Sequence, residues 1–328
     1  MIFSVTASAP ARSPRRLVIF GEFYLDLVFY DLPALPRLGE EVKTRRFAEL
    51  PGGGLATTAL VAAGLGTATA AVTRVGGDAR LSPAWQKLAR SRVSVEACEF
   101  SSHFPTARTV CASYDGDRMM ITHDAINQGL EKLLDLPRVR RQLQSAKHLH
   151  LACALWPART WIAAIRRLRE SGLTVSADIG WNPQLFRSPE LRRLLGELEF
   201  TFPNEIEARA MTRERSIERA VKKLAEWVPV PVIKLGAAGS IALQDGKLVR
   251  AKSIPVRSID ATGAGDAFNG GFLHGYLAGW GLEDSMRAGN VCGALATTAA
   301  GGSCAIPTAK KLRRLMRSTR VELATGRF

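Results

Sequence analysis

Residues 260–268 read DATGAGDAF, a stretch of small residues that leads into a predicted helix. Small residues allow the backbone to approach a ligand closely, and the first N–H groups of a helix have no partner within it. Together with the helix dipole, these groups attract anions such as phosphate. A carboxylate in the first turn, here Asp266, is placed to accept a proton from a hydroxyl that attacks a phosphoryl group. The stretch therefore indicates a site for phosphoryl transfer.

The same stretch also has a purely structural explanation. Gly263 and Gly265 would form a tight loop, and Asp266 would cap the helix that follows. The glycine content alone does not decide between the two interpretations. A P-loop is excluded, because no Gly-Lys-Ser/Thr sequence follows the glycines.

The composition is that of a protein with a large core. The chain has 328 residues, of which 46% are hydrophobic and 7% aromatic, and this suits one large α/β domain. No uncharged apolar run reaches the roughly 18 residues that cross a membrane, and residues 1–16 lack the order of a signal peptide. The five cysteines lie far apart and form no CxxC pair, which predicts a reducing compartment, the cytoplasm, and neither a disulfide framework nor a zinc site.

The chain is strongly basic, with a formal net charge of +15. Such a charge can attract nucleic acid or anionic substrates. However, arginines such as Arg166, Arg167 and Arg169 are typical of solvated helix faces, and no aromatic residues lie between them to stack on bases. We therefore do not expect a nucleic-acid partner.

Apolar strand-like runs alternate with helical patterns along most of the chain. This alternation predicts a mainly parallel sheet that is covered by helices on both faces. The predicted strands are residues 17–20, 69–75, 148–154, 173–178 and 230–235, with another strand ending at 202. The predicted helices are residues 56–65, 83–91, 158–171, 217–227, 266–279 and 285–300.

Two segments interrupt this alternation. Residues 27–50 are rich in charge and proline, and residues 106–122 alternate polar and apolar positions around Asp115-Gly116, a pair typical of a hairpin turn. We expect both segments to form a small β lid that rises from the core. Because no repeat or long linker is present, we predict a single domain over residues 1–328, with the lid segments inserted in it.

The stretch at residues 260–268 resembles the C-terminal signature of the ribokinase, or PfkB carbohydrate kinase, family. Residues 270–272 and 290–302 are similar to the same family, and the resemblance extends from about Gly21 to Pro307 with the motifs in the family order. It implies a three-layer α/β sandwich with a central, mainly parallel sheet and a small β lid. It also implies that Asp266 is the catalytic base. The anion hole that it implies is formed by Gly263, Ala264 and Gly265.

Two further motifs resemble the part of the family that binds the acceptor. Gly52 and Gly53 match the N-terminal Gly-Gly motif, against which the acceptor sugar lies, and Asp26 matches an aspartate that binds acceptor hydroxyls. Thr57 stands where the family usually has asparagine, so the paired donor and acceptor of the amide are missing and the identity of the sugar stays open. Without the resemblance, these residues would be a loop-to-helix turn and a solvated strand end.

The remaining motifs resemble the nucleotide and cation sites of the family. Asn204 and Glu207 match its Asn-x-x-Glu motif, which organises Mg²⁺ and phosphate largely through water, although the same pair would also form a helix N-cap. The resemblance assigns the following residues to the ATP side: Lys234, Gly236, Gly239, Thr262 and Asn290. Lys234 is equally explained as a plain strand residue. Asp260 and Thr262 match part of a monovalent cation site, for which K⁺ is the expected ion.

Three further residues, the aromatic Trp181 and two histidines, have more than one interpretation. Trp181 either lines the acceptor pocket or simply packs. His148 and His150 alternate on a predicted strand, but no third ligand accompanies them, so we do not expect a metal site there.

The resemblance implies a kinase that uses ATP and Mg²⁺ to phosphorylate a hydroxyl of a small sugar-type acceptor. A nucleoside kinase of the same fold is the alternative, and a base-stacking surface in the acceptor pocket would distinguish it. A non-catalytic sugar-binding regulator is a third interpretation, but Asp266 and the Asn204/Glu207 pair argue against it. The partners expected are the small-molecule acceptor and a second copy of the chain bound through the lid, without a membrane.

Overall fold

The computed structural model describes residues 17–114, 117–299 and 306–325, with the backbone alone for 117–118 and 318–325. The strands among these residues are β1 (Leu17–Gly21), β2 (Tyr24–Tyr30), β3 (Arg46–Gly52), β4 (Thr69–Val72), β5 (Arg74–Gly76), β6 (Val93–Ser94), β7 (Glu99–Ser101), β8 (Arg108–Tyr114), β9 (Asp117–His123), β10 (His148–Ala152), β11 (Thr174–Asp178), β12 (Phe200–Thr201), β13 (Val230–Lys234), β14 (Ser240–Gln244) and β15 (Lys247–Ala251). The helices are α1 (Gly53–Gly64), α2 (Pro83–Ala89), α3 (Pro137–Gln144), α4 (Ala158–Glu170), α5 (Pro183–Arg187), α6 (Leu191–Leu195), α7 (Glu205–Thr212), α8 (Ile217–Ala225), α9 (Ala264–Leu277), α10 (Leu282–Ala296) and α11 (Ala309–Thr325). Helices and strands alternate along the chain, as predicted from the sequence.

The largest sheet has nine strands in the order β15-β14-β13-β12-β11-β10-β1-β4-β6. The strands from β6 to β13 pair in parallel, and β14 and β15 are antiparallel additions at one edge. Strand β1, near the middle, reads LVIFG and is buried throughout. Such a continuous apolar run is typical of a strand covered on both faces.

The two faces of this sheet pack into separate hydrophobic clusters. Val18 and Phe20 point into the cluster that contains α4, whereas Leu17 and Ile19 point into the cluster that contains α1 and α9. Because side chains alternate along a strand, one strand serves both clusters. The predicted α/β sandwich of three layers, with a central and mainly parallel sheet, is confirmed.

Helix α9 lies unusually close to α1. A methyl group on Gly270 would come within 2.7 Å of the carbonyl oxygen of Thr58, so only glycine allows this approach. The Thr58 hydroxyl also donates a hydrogen bond of 3.0 Å to the carbonyl oxygen of Asp266. The start of α9 is therefore fixed relative to the start of α1.

The segments predicted to form a lid contribute to a separate four-stranded sheet, in the order β3-β2-β8-β9. Neither segment takes part in the nine-stranded sheet, and β2 begins at Tyr24, slightly before the predicted boundary. The predicted turn at Asp115-Gly116 lies outside the described residues, as does the N-terminal tail at 1–16. The movement of this sheet as a lid, and the division into one domain with inserted segments, stay predictions.

Several element boundaries differ from the predicted ones. The strand predicted over 69–75 is two strands, because β4 joins the large sheet while β5 pairs with β7 in a small sheet of its own. The helix predicted from 266 begins at Ala264, because Gly263 adopts a left-handed φ of 70° and forms its N-cap. The helix predicted over 285–300 spans Leu282–Ala296, and its predicted last residue lies outside the described part of the chain. No helix in the described ranges is long and apolar enough to cross a membrane.

Candidate active site

The candidate site lies at the carboxyl-terminal edge of the parallel strands. Strands β1, β10 and β11 are neighbours and end in register at Gly21, Ala152 and Asp178. The first turns of α1 and α9 meet at the same edge, since a methyl group on Gly54 would lie 2.9 Å from Oδ1 of Asp266 and 3.2 Å from the Ala152 side chain. Open α/β sheets bind ligands at this edge.

Asp266 is the third residue of α9 and does not cap it. The N-cap is Gly263, and no side chain caps the helix there. The capping explanation of Asp266 is therefore wrong, because the cap position belongs to a residue without a side chain. The helix geometry leaves the N–H groups of Gly265 and Asp266 without a carbonyl partner inside the helix. The N–H of Ala264 already donates to the carbonyl oxygen of Ala261 at 3.3 Å, so Gly265 is the residue of the predicted anion hole (Gly263, Ala264 and Gly265) that has a free N–H in the first turn of the helix. The role of these residues as an anion hole stays a prediction.

A buried ion pair lies next to the first turn of α9. Lys234 Nζ lies 2.6 Å from Asp178 Oδ2, and both side chains are about nine-tenths buried. The same Asp178 oxygen accepts a hydrogen bond of 2.7 Å from Asn269 Nδ2 on α9. Lys234 Nζ also borders the loop, since it would lie 3.0 Å from a methyl group on Gly265. The strand residue Lys234 is therefore brought to the predicted anion hole.

The charges at this edge change each other's ionisation. Burial alone would raise the pKa of Asp178, but the ammonium of Lys234 and the hydrogen bonds that Asp178 accepts hold its pKa below the usual value. Burial would likewise lower the pKa of Lys234, and Asp178 outweighs it, so that the pKa of Lys234 is raised. Both partners therefore stay charged.

The pKa of Asp266 is raised, whereas that of Asp178 is lowered. Burial raises the pKa of the Asp266 carboxyl to about 7, the negative charge of Asp178 adds to the rise, and Lys234 opposes it. The negative charges of Glu207 and Asp26 raise the pKa further, by smaller contributions than that of Asp178. A carboxyl with a pKa near neutrality can both take and release a proton under physiological conditions.

One cavity lies in front of Asp266, between α1 and the four-stranded sheet. It is lined by the predicted acceptor residues Asp26, Gly52, Gly53 and Thr57, by Asp260, Thr262 and Gly263, and by Val28, Leu50, Cys111, Ser113 and Met120. A methyl group on Gly52 would collide with the Asp26 carboxylate at 2.2 Å, so this glycine leaves room for that carboxylate. We call this space the acceptor cavity.

A second and larger cavity of about 600 Å³ lies behind the same helix start. Its lining includes the predicted ATP-side residues Lys234, Gly236, Gly239 and Asn290, together with Ala264 and Gly265. The Asn290 amide already donates a hydrogen bond of 2.8 Å to the carbonyl oxygen of Ala251. We call this space the nucleotide-side cavity. The first turn of α9 therefore separates the two cavities, and each cavity contacts different residues of that turn.

Asn204 and Glu207 form a capping box at the start of α7. The Asn204 N–H donates to Glu207 Oε2 at 2.8 Å, and the Glu207 N–H donates to Asn204 Oδ1 at 2.9 Å. The predicted N-cap is therefore present. Glu207 is only 6% exposed, and burial together with Asp178 raises the pKa of its carboxyl. Its role toward a metal stays a prediction.

Asp260 and Trp181, which also have predicted roles, already contact other protein groups. Asp260 Oδ1 accepts hydrogen bonds from the Thr262 N–H and hydroxyl, at 2.8 and 2.5 Å. Trp181 is 61% exposed, packs edge-on against Phe186, and lines neither cavity. No group of three histidine, cysteine or acidic side chains in the described ranges has the arrangement of a metal site.

His148 and His150 form part of a buried polar ladder rather than a metal site. His148 contacts Thr174 Oγ1 through Nδ1 at 2.8 Å and Ser176 Oγ through Nε2 at 2.7 Å, and His150 Nδ1 contacts the same Ser176 oxygen at 2.8 Å. Thr174 donates its own hydroxyl to the carbonyl oxygen of Lys147. Burial lowers the pKa of His148 to about 3 and that of His150 to about 4, so both rings are neutral.

Some residues beside the site are not predicted from the sequence. Asp178 and Asn269 were not assigned a role, although an aspartate at the end of a strand is itself a signal for a site at the sheet edge. A second group, Glu22, Tyr24 and Asn127, is joined by side-chain hydrogen bonds next to Gly53. Glu22 and Asn127 are 105 residues apart in the sequence, so no local pattern connects them.

Comparisons with known proteins agree with the resemblance seen in the sequence. A family model described as pfkB family carbohydrate kinase matches residues 14–309. A nucleoside kinase of Methanothermobacter thermautotrophicus is 28% identical over 277 residues, covering 83% of this chain and 86% of the relative. A fructokinase of Salmonella typhimurium is 29% identical over 290 residues, covering 82% of this chain and 92% of the relative. The structure of a putative Ribokinase II from E. coli in complex with ATP and Mg²⁺ superposes with a TM-score of 0.78 at 20% identity, covering 92% of this chain and 99% of the other.

The raised pKa of Asp266 predicts a pH-dependent stability difference for Asp266→Asn. Between the pKa of an unfolded aspartate and about 7, the folded chain binds the proton more tightly than the unfolded chain, so folding stability falls as the pH rises through this window. Asparagine does not titrate. The variant should therefore gain stability over the wild type from pH 4.5 to 7, by about 1–2 kcal/mol because the carboxyl borders an open cavity.

Thermal unfolding of both proteins between pH 4.5 and 8 measures this difference. Glu205→Gln, at a partly exposed first-turn position of α7 where Glu205 pairs with Arg209, is the control and should show a small difference that does not grow with pH. A gain for Asp266→Asn that shrinks as the pH rises would contradict the raised pKa.

Proposed function

Because the chain belongs to the pfkB family of carbohydrate kinases, which are phosphotransferases acting on sugar hydroxyls, we propose that it transfers the γ-phosphate of ATP to a small sugar or nucleoside. One observation carries this proposal. The Asp266 carboxyl and the free N–H groups of its helix lie between the acceptor cavity and the nucleotide-side cavity. A hydroxyl and a phosphoryl group that enter from opposite sides would meet there.

In the proposed reaction, Asp266 acts as the general base. The acceptor hydroxyl loses its proton to the Asp266 carboxylate, its oxygen forms a bond to the γ-phosphorus, and the bond from that phosphorus to the β-phosphate oxygen breaks to leave ADP. The N–H groups of the first turn of α9 and the ammonium of Lys234 stabilise the negative charge on the transferred group. Asp178 positions Lys234 for this task.

The nucleotide-side cavity suits ATP in size and in the residues that line it. At about 600 Å³ it lies within the range of small-molecule sites, and Gly236 and Gly239 at its wall leave the backbone accessible. The E. coli neighbour was solved with ATP and Mg²⁺, which supports the same cofactors here. Bound Mg²⁺ would neutralise charge on the phosphates. Asn204 and Glu207 would hold it through water, because Mg²⁺ usually keeps several of its waters and both side chains already hydrogen-bond in the capping box. We retain Asp260 and Thr262 as a candidate K⁺ site.

Two acceptor classes fit the proposal. The relatives include a fructokinase and a nucleoside kinase, so a sugar is the first candidate and a nucleoside the second. The nucleoside is favoured by Thr57, which lines the acceptor cavity without the amide that the family usually places there for a sugar. The four-stranded sheet covers this cavity through Asp26, Val28 and Cys111, and we propose that it closes as a lid to exclude water.

The base role predicts the effect of Asp266→Asn on turnover. Asparagine is nearly the same shape but cannot take a proton, and general-base catalysis typically contributes about 10²- to 10⁴-fold. We expect turnover to fall by about that factor, with ATP binding largely kept. In the wild type, kcat/KM should rise with pH up to about 7, because only the carboxylate is active, and the variant should lack this rise.

Steady-state phosphorylation of a panel of sugars and nucleosides, with ATP binding by calorimetry, measures both effects. Glu205→Gln again serves as the control and should match the wild type. Near-normal turnover in a folded Asp266→Asn protein would show that another group is the base.

The proposed cation role predicts a change in the Mg²⁺ requirement of Glu207→Gln. Glutamine still accepts the hydrogen bond from the Asn204 N–H, so the start of α7 should be kept. The lost negative charge should raise the Mg²⁺ concentration for half-maximal turnover about tenfold. The measurement is a Mg²⁺ titration at fixed ATP, compared with Glu205→Gln in the same helical turn. Identical titrations for the two variants would remove the role of Glu207.

A second copy of the chain is the proposed macromolecular partner. The face of the four-stranded sheet that points away from the acceptor cavity carries apolar side chains, among them Phe47 (55% exposed), Val110 (39%) and Ile121 (66%). An apolar patch of this kind on a sheet is typical of a protein–protein contact. We propose that two copies pair through it.

The pairing predicts that Ile121→Lys converts a dimer into a monomer. A buried lysine without a partner would oppose association. Leu248→Lys is the matched control, because Leu248 is 41% exposed on the edge strand β15 of the other sheet. Light scattering over a concentration series measures the mass. A wild-type protein that is monomeric at every concentration would refute the proposal.

A further inference from the structure

Asn269 connects α9 to the buried ion pair between Asp178 and Lys234. It lies three residues after Asp266, one turn further along the same helix face, and its side chain is fully buried. Asn269 Nδ2 donates a hydrogen bond of 2.7 Å to Asp178 Oδ2, the oxygen that also receives Lys234 Nζ at 2.6 Å. One carboxylate oxygen is therefore shared by a donor from α9 and a donor from β13.

The Asp178 carboxylate is held at both of its oxygens. While Oδ2 receives Asn269 and Lys234, Oδ1 accepts a longer hydrogen bond of 3.4 Å from the N–H of Gly180. A carboxylate that is bound at both oxygens does not turn about its terminal bond, so the position of Oδ2 is fixed. Without Asn269, Lys234 would be the only described donor left at Oδ2, and its flexible stem would not fix the carboxylate.

The Lys234 ammonium is attracted by more than one carboxylate. Burial would lower the pKa of Lys234, but Asp178 and two further carboxylates raise it. The two further carboxylates are Asp266 on α9 and Glu207 on α7. Lys234 Nζ nevertheless lies beside the first turn of α9, at 3.0 Å from a methyl group placed on Gly265. The position of Asp178 Oδ2 therefore decides where the ammonium lies among these charges.

Stability alone does not explain the amide of Asn269. Its Oδ1 is buried, and no donor among the described residues reaches it. An unpaired buried acceptor is unfavourable, and an apolar side chain of similar size would avoid it. This oxygen therefore offsets part of the free energy that the hydrogen bond to Asp178 contributes. A requirement for a donor at Asp178 does explain the amide.

We propose that Asn269 is a positioning residue for phosphoryl transfer. It holds the Asp178 carboxylate so that the Lys234 ammonium stays beside the first turn of α9, where the proposed reaction needs positive charge for the transferred group. Asn269 acts through Asp178 and Lys234, because it lines neither the acceptor cavity nor the nucleotide-side cavity. The inference rests on the proposed kinase function and adds a residue to its site.

Asn269→Leu tests the role of the donor. Leucine is similar in size and has no polar atom, so it removes both the hydrogen bond and the unpaired oxygen. In steady-state phosphorylation with ATP and Mg²⁺, we expect kcat to fall about 10- to 100-fold, while KM for the acceptor changes less than about threefold. Loss of a donor that contacts the reacting group typically costs about 10²- to 10³-fold, and the effect here is smaller because Lys234 itself is kept.

Thr67→Val is the matched control, because it also removes a side-chain hydrogen bond that holds α9. Thr67 Oγ1 contacts His274 Nδ1 at 2.8 Å in the last turn of this helix, at the end remote from Asp266. If Asn269 merely attached α9 to the core, the two variants would behave alike. We expect the kcat of Thr67→Val to match the wild type, with thermal unfolding showing that both variants are folded.

Asn269→Asp tests whether the donated proton is the required feature. The two side chains have nearly the same shape, but the introduced carboxyl donates to Asp178 only while it is protonated. Burial and the charge of Asp178 raise the pKa of a carboxyl at this position, and Lys234 opposes them. The other titratable groups near Asp178 are Asp266, Glu207 and the neutral His150.

The readout for Asn269→Asp is its kcat relative to the wild type at the same pH. This ratio should be close to one at about pH 6 and should decrease toward the Asn269→Leu value as the pH rises to about 9, because ionisation removes the donor. A role in packing alone would give the same ratio at every pH. A low ratio that does not change with pH overturns the proposal, as does a near-normal kcat in folded Asn269→Leu.

Calorimetric binding of ATP and ADP with Mg²⁺, without an acceptor, separates this inference from the kinase function. In the proposed reaction Lys234 meets the terminal phosphate of ATP, so Asn269→Leu should reduce the preference for ATP over ADP by about 3- to 10-fold. If no acceptor is phosphorylated but this preference falls in Asn269→Leu and not in Thr67→Val, the kinase proposal fails and the positioning role stands. If phosphorylation proceeds and Asn269→Leu keeps both its kcat and its preference for ATP, the kinase proposal stands and the positioning role fails.

Discussion

The ion pair between Lys234 and Asp178 is the interaction on which the site depends. It places one ammonium group beneath the first turn of α9, where Asp266 and Glu207 add negative charge that the described protein balances only in part. Without Lys234, burial would leave Asp178 an uncompensated charge, and breaking a buried pair in this way typically costs about 3–5 kcal/mol. With Lys234 present, Asp178 stays ionised and Asp266 is the carboxyl that becomes easier to protonate. The pair therefore decides which of the two aspartates titrates near neutrality.

The backbone reinforces this arrangement by bringing two helix starts together. Gly54 on α1 and Gly270 within α9 have no room for a side chain, so the helices approach until the Asp266 carboxyl lies between them. Both helix N-termini carry partial positive charge; that of α9 borders the nucleotide-side cavity, and that of α1 borders the acceptor cavity. The local field thus favours an anionic nucleotide at a place where carboxylates alone would repel it, and the overall charge of +15 acts in the same direction.

The features that can be predicted from the sequence are those that depend on residues close together in the chain. The small-residue stretch at 260–268 and the alternation of strands and helices each depend on neighbouring residues, and they predict the sheet, the family and the position of Asp266. The start of α9 was placed two residues late, because the left-handed conformation of Gly263 is not visible in residue types alone. The break between β4 and β5 arises because β4 pairs with β1 and β5 pairs with β7, and these pairings are formed only in the folded chain. The partners Asp178, Asn269 and Lys234 come from three distant segments, so only the fold brings them into contact.

In the buried polar ladder, the chemistry of the heavy atoms determines which group donates in each hydrogen bond. A carbonyl oxygen only accepts, so the Thr174 proton points to Lys147, and His148 must then donate to Thr174 through Nδ1. A neutral His148 is therefore bare at Nε2 and takes the one proton of Ser176, which in turn must receive a proton from Nδ1 of His150. The last atom in the series, Nε2 of His150, is left with a lone pair at the end of the ladder nearer to Asp178 and Lys234. A main-chain oxygen at the opposite end of the strands thus fixes the tautomer of an imidazole close to the site, and no proton between them can be reversed alone.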